Sequence, residues 1–136
     1  MSDSSKTLTI VLYSDDATVR ASIRAALGSR ISPESAPHEI IEFATGPALH
    51  SFLDANRVDA IILDGEAAPE GGLGICRQIK DEVFNAPPVI VYVGRADDAW
   101  LGAWSRADAI LVHPVDPFTL AKRVGALLAL ASTPHL

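Results

Sequence analysis

The sequence predicts an α/β protein built on one doubly wound, five-stranded parallel sheet, strand order 2-1-3-4-5, with helices on both faces. Three observations lead there. Short apolar, β-branched runs alternate with segments of helical spacing along nearly the whole chain. Strands that alternate with helices are joined by right-handed crossovers, the connection parallel strands require. The length, 136 residues, suits one core of ordinary domain size.

The first strand is Leu8–Tyr13 (LTIVLY), and it stops at Ser14-Asp15-Asp16. Ala17–Leu27 follows with Val19, Ile23, Ala26 and Leu27 at helical spacing, and Gly28 suits the helix end. Residues 29–37 are polar and proline-containing, hence a loop. His38–Phe43 (HEIIEF) reads as the second strand, and Gly46–Ala55, with Leu49, Phe52 and Leu53, as the second helix. The third strand covers residues 58–63 (VDAIIL) and ends at Asp64. After a glycine-rich loop, residues 73–83 form a helix on Leu73, Ile75, Cys76, Ile79 and Val83. Pro87-Pro88 breaks the chain. Val89–Val93 (VIVYV) is the most strand-like segment and reads as buried on both faces. Residues 97–106 form a fourth helix with Asp97 or Asp98 near its start. Ala109–Val112 is the fifth strand. Beyond His113-Pro114 a last helix covers 117–130, with Pro117 suited to its first turn. The domain thus spans 8–131, between tails at 1–7 and 132–136.

Composition narrows the function. Hydrophobic residues make up 49% and charged residues 21%, which is globular rather than disordered. Seventeen acids against eleven bases leave a net charge of −6, which argues against a surface that tracks nucleic-acid phosphates. One cysteine, Cys76, excludes an internal disulfide and a thiolate-rich zinc site, and its place on an apolar helix face predicts inert core. No basic start followed by an apolar run opens the sequence, and no apolar run approaches the ~20 residues of a membrane span. The expectation is a cytoplasmic protein without membrane insertion.

In doubly wound sheets, ligands and chemistry gather at the carboxyl ends of the strands. Here those ends carry Ser14-Asp15-Asp16, Asp64, Val93-Gly94 and His113-Pro114. The first and third strands are neighbours, so their carboxylates can converge. Clustered carboxylates repel unless a hard cation joins them, and Mg²⁺ takes such oxygen ligands. A carboxylate beside Mg²⁺ can act as nucleophile toward a phosphoryl group. The plainer alternative is that Asp64 caps a loop while Asp15 and Asp16 cap the first helix. Glu70-Gly71-Gly72-Leu73-Gly74 lacks the basic support of a phosphate cradle. Asp64-Gly65-Glu66 matches paired acids of aspartate-nucleophile phosphatases, but the chain is too short for their core and cap.

Four segments in register, IVLYSDDATVR, VDAIILDGEAAPEGGLGICRQIK, PPVIVYVGRADD and ADAILVHPVDPFTLAKRV, resemble the receiver domain of bacterial two-component response regulators, most of all the stand-alone, atypical receivers of actinobacteria. The resemblance covers about 8–131 and implies the flavodoxin-like receiver fold. It implies that Asp64 is the phosphoacceptor for a kinase histidine. It places the two metal-binding acids at Ser14 and Asp15, unless Asp16 shifts into the role, and a metal-binding backbone carbonyl at Glu66, whose side chain can crowd or supplement the site. It also implies a cis peptide between His113 and Pro114.

The departures from the family pattern are as informative. A hydroxyl is expected at Val93, or Gly94 if the register slips; a lysine at His113; an aromatic switch residue at Ile110. Phosphoryl transfer rests on positioning and electrostatic stabilisation, and one lost donor costs ~10²–10³ in rate. An imidazole carries only part of a positive charge near neutrality. The expectation is weak Mg²⁺ binding, slow modification of Asp64 and a broken link to the partner surface. Trp100 and Trp104, spaced i and i+4, are candidates for that surface; Trp100 is expected in the core or at its boundary and Trp104 exposed. Two functions from different classes follow. One is a non-enzymatic atypical single-domain response regulator that works by protein–protein interaction with a histidine kinase or effector. The other is a phosphorylation-independent adaptor or accessory subunit of a larger assembly. A small-molecule binder at the strand ends is a third, less supported reading.

Overall fold

The structure, a computed structural model, describes residues 7–132. Five parallel strands, β1 (Leu8–Tyr13), β2 (His38–Phe43), β3 (Ala60–Asp64), β4 (Val89–Val93) and β5 (Ala109–Val112), form one sheet in the order β2-β1-β3-β4-β5. The helices are α1 (Ala17–Leu27), α2 (Gly46–Ala55), α3 (Gly72–Glu82), α4 (Leu101–Ser105) and α5 (Pro117–Ser132). The fold and its strand order are those the sequence predicts.

The middle strands are almost wholly apolar because both of their faces are covered. On one face Ile10, Leu12, Ile62, Ile90, Tyr92 and Leu111 pack beneath Ile23 and Leu27 of α1 and Leu120 and Val124 of α5. On the other, Val11, Ile61, Leu63, Val89 and Val91 pack beneath Leu49 of α2 and Ile75, Cys76 and Ile79 of α3. Cys76 is fully buried, and burial pushes its thiol up to about 11, which makes it the inert core residue expected.

Four elements differ in their bounds from the sequence reading. β3 starts at Ala60 because Asp59 exchanges bonds with Thr9, its N–H donating to the Thr9 carbonyl and its Oδ2 accepting from the Thr9 N–H, before β3 joins β4. At its far end β3 includes Asp64, which pairs with Tyr92. α3 is set one residue earlier than expected, at 72–82, because Val83 already has extended backbone angles. The expected helix at 97–106 divides into a 3-10 turn, Ala96–Trp100, and the short α4. That turn has no buried residue and no side-chain cap, so nothing enforces α geometry there. α5 continues to Ser132, which the sequence reading assigned to the tail. The remaining tail positions, 1–6 and 133–136, lie outside the described residues.

Side chains alternate between the two faces of a strand. Ile10 and Leu12 of β1 face α1 and α5, so Ser14 continues that series; Ile62 does the same for Asp64, Ile90 for Tyr92, and Leu111 for His113. The Ser14 N–H donates to the Phe43 carbonyl and the His113 N–H to that of Val93, so the ladder persists one residue beyond β1 and β5. Strand parity alone therefore sets Ser14, Asp64, Tyr92 and His113 in one row at the carboxyl edge of the sheet.

Candidate functional site

Asp64 is the centre of this row and is only 3% exposed. A carboxylate this buried is stable only when hydrogen-bond donors surround it. Three do. The Ser14 hydroxyl donates to Oδ2 at 2.7 Å. The Glu66 N–H donates to Oδ1 at 2.9 Å, and His113 Nε2 lies 3.0 Å from the same oxygen. Toward an ionised carboxylate, which only accepts, an imidazole bonds through a ring N–H. The imidazole stacks on Tyr92, with centroids 5.0 Å apart and planes at 27°. The peptide bonds preceding Pro114 and Pro69 are both cis, the first as the resemblance implies.

Backbone geometry brings these groups together. Gly72 opens α3 directly beneath the end of β3, where a Cβ would lie 2.8 Å from the Asp64 carbonyl oxygen; only glycine permits that approach. Arg20 donates to the Ser14 carbonyl at 2.7 Å and to Glu42, which anchors the turn between β1 and α1. Tyr13, on the opposite face, donates its hydroxyl to the Glu70 carbonyl at 2.5 Å. That phenol's pKa is raised, first by burial and then by the charges of Glu70, Asp15 and Asp64, so both aspartates lie within electrostatic reach of it.

The sequence-derived candidates divide. Asp64, Ser14, His113 and the Glu66 backbone meet. Asp16 does not join them: it is the N-cap of α1, its Oδ1 accepting from the N–H groups of Thr18 and Val19. Asp15 is exposed on the rim. The Glu66 side chain turns toward β4, where Oε2 accepts from the Gly94 N–H at 3.2 Å. Val93 is fully buried. Ile110 packs toward α3 and α4, filling space over Gly102, where a Cβ would come 2.4 Å from Ile110 Cγ1. Trp104 is 48% exposed, as expected, under the Arg77 guanidinium at 5.1 Å. Trp100 corrects the expectation of a core or boundary residue: it is 71% exposed, on a 3-10 turn that buries none of its residues.

Tyr92 is the residue the sequence reading missed. The one signal available was a hydroxyl-bearing ring inside the otherwise aliphatic run VIVYV. Ser14 was read as a lost acid; the structure shows it as a donor.

As arranged, the donor set offers a Mg²⁺ ion little, with Asp64 engaged by protein groups and Asp15 exposed on the rim. Mg²⁺ needs near-octahedral oxygen coordination. Among the described residues no three His, Cys, Asp or Glu side chains are placed to hold a metal. Both oxygens of Asp64 already accept from protein donors. Nor is the row a nucleophile triad, since Ser14 and His113 each bond to Asp64 and not to one another. What the arrangement supplies is a buried anion held by a hydroxyl, a peptide N–H and an imidazole.

A parallel α/β sheet in this order, with a buried aspartate at the end of its third strand, defines the receiver class of fold. No family model matches the chain. It is 47% identical over 128 residues to an uncharacterized response regulatory protein of Mycobacterium tuberculosis, across 94% of this chain and 96% of that protein. It is 31% identical to the transcriptional regulatory protein ResD of Bacillus subtilis, across 90% of this chain but 49% of ResD. Among solved structures, the receiver domain of the Francisella response regulator 1452 has a TM-score of 0.78 at 17% identity, covering 93% of this chain and 100% of that one. The BeF3-activated DrrB receiver domain has a TM-score of 0.75 at 21% identity, covering 91% and 99%. The chain belongs to the response regulators, and its fold is that of their receiver domain. No helix among the described residues is long and apolar enough to cross a membrane.

Proposed function

We propose that this protein is an atypical, stand-alone response regulator that acts in the cytoplasm through protein–protein contact, with Asp64 as its phosphoacceptor and with a weakened switch. The observation that carries this reading is the occupancy of Asp64: a buried carboxyl group at the phosphoacceptor position, with the Ser14 hydroxyl and the His113 imidazole already within hydrogen-bonding distance of its two oxygens. For phosphoryl transfer from a kinase phosphohistidine, an Asp64 oxygen must leave its donor, form the P–O bond as the P–N bond breaks, and return to a site without a hydroxyl at Val93. Each of those steps is slower than in a receiver with an open carboxylate. Any Mg²⁺ at Asp15 and Asp64 is held weakly in this reading. The exposed Trp100 and Trp104 supply the partner face.

The second reading is a phosphorylation-independent adaptor or accessory subunit of a larger assembly. The same occupancy favours it, since a carboxyl group whose oxygens already bond to protein groups has less to gain from modification. Two measurements separate the readings. Incubation with a phosphohistidine kinase or an acyl phosphate should yield a phosphorylated species that is absent from Asp64→Asn; its absence from the wild type would remove the phosphoacceptor role. Partner recovery with wild-type and Asp64→Ala protein then decides the mode: equal recovery supports constitutive binding, and loss in the variant supports phosphate-dependent binding.

A further inference from the structure

We infer that the row Ser14–Asp64–His113 is a metal-free form of the receiver site, in which a hydroxyl and an imidazole occupy the carboxylate in place of a divalent cation, and in which Ser14 is the residue that excludes the cation. The inference rests on placing Asp64 at the receiver carboxylate but not on its accepting phosphate.

An acid in the place of Ser14 would set two carboxylates within hydrogen-bonding distance, given the 2.7 Å separation of Ser14 Oγ from Asp64 Oδ2. Like charges that close in a buried site require a cation or a proton. Serine removes that requirement, because its hydroxyl donates to the oxygen a cation would coordinate. It is fully buried, and its Oγ also accepts from the Asp16 N–H at 3.0 Å, so the proton is directed toward Asp64. Asp16 is thereby fixed as the α1 cap and held out of the site. On the other oxygen, His113 Nε2 lies at 3.0 Å, with the Tyr92 ring against the imidazole face. To bind here, Mg²⁺ would have to displace a charge-assisted hydrogen bond while gaining few anionic ligands, and it gives up its water shell reluctantly.

The test measures thermal unfolding and amide NMR during Mg²⁺ titration of the full chain at constant ionic strength, without any phosphoryl donor. Wild-type protein should show no saturable change at millimolar Mg²⁺. Ser14→Asp should unfold at lower temperature than wild type without metal, recover on adding Mg²⁺, and bind it at least about tenfold more tightly. Ser14→Asn, which adds bulk but no charge, should not recover. Saturable shifts of the Ser14, Asp64 and Glu66 amides in wild-type protein would overturn the inference, as would a folded Ser14→Asp indifferent to Mg²⁺. Should Ser14→Asp fail to fold even with Mg²⁺, the wild-type titration decides alone. Phosphorylation is absent from every arm, so failure here leaves the phosphoacceptor reading untouched, and the reverse also holds.

Discussion

His113 Nε2 lies 3.0 Å from Asp64 Oδ1, so the residue at the family's lysine position engages the phosphoacceptor candidate before any phosphate arrives. A lysine on a long flexible stem can wait for a phosphoryl group. An imidazole two bonds from the backbone, stacked on a buried ring, is fixed where it stands.

The stack itself is testable. The Tyr92 hydroxyl is buried and bonds to no group among the described residues, whereas its ring touches His113. Tyr92→Phe should be neutral or stabilising by up to about 1 kcal/mol, since an unsatisfied hydroxyl is removed. Tyr92→Leu should lose at least ~0.5–1.5 kcal/mol with the ring pair. Urea midpoints measure both, and equal losses in the two variants would show that the hydroxyl is bonded after all.

Beryllofluoride should produce little change beyond residues 14–16, 64–66, 93–94 and 113. A ligand shifts a conformational equilibrium only by its differential affinity for the two states. Val93 offers no hydrogen bond, and Ile110 is packed over Gly102 with no polar group to reorient. The gain should fall well short of the ~5.5 kcal/mol that moves a population from 1:99 to 99:1. Large amide shifts across α4 and β5 would show an intact switch.

Gly102→Ala should destabilise by ~1–3 kcal/mol through overpacking, because the new Cβ would lie 2.4 Å from Ile110 Cγ1. Pairing it with Ile110→Ala should recover part of that loss. Denaturation of the single and double variants checks this, and strictly additive losses would disprove the contact.

Glu42 links β2 to α1, accepting from Arg20 Nε at 3.1 Å and Arg24 Nε at 2.6 Å. The hydrogen bond from Arg24, first, and then the charges of both arginines hold its carboxyl below the usual range against an opposing effect of burial. A carboxylate with a lowered folded-state pKa contributes stability above its unfolded value, about 4.3, and loses it as pH falls through the folded value. Glu42→Gln should therefore cost up to about 1 kcal/mol near neutrality and progressively less in acid. A gap between variant and wild type that does not narrow in acid would contradict this.

The local sequence determined the elements and their order. Leu8–Tyr13 and Val89–Val93 are apolar on both alternating sets of positions, which only a sheet covered on both faces accommodates, and the helical spacing between runs dictates crossovers and parallel strands. It also placed Asp64, Ser14 and His113 at the carboxyl edge. The 3-10 turn before α4, and with it the exposure of Trp100, was not legible, because whether a short segment becomes an α-helix depends on the surface it packs against. Nor was the state of Asp64. Tyr92 lies on β4, whereas Ser14 and His113 directly follow β1 and β5, and the bonds and ring contact these residues make depend on register and strand parity across the whole sheet. Propensity acts over a few neighbouring residues, whereas hydrogen bonding to a buried charge is decided by groups some fifty residues away in the chain that only the folded sheet brings within 3.0 Å.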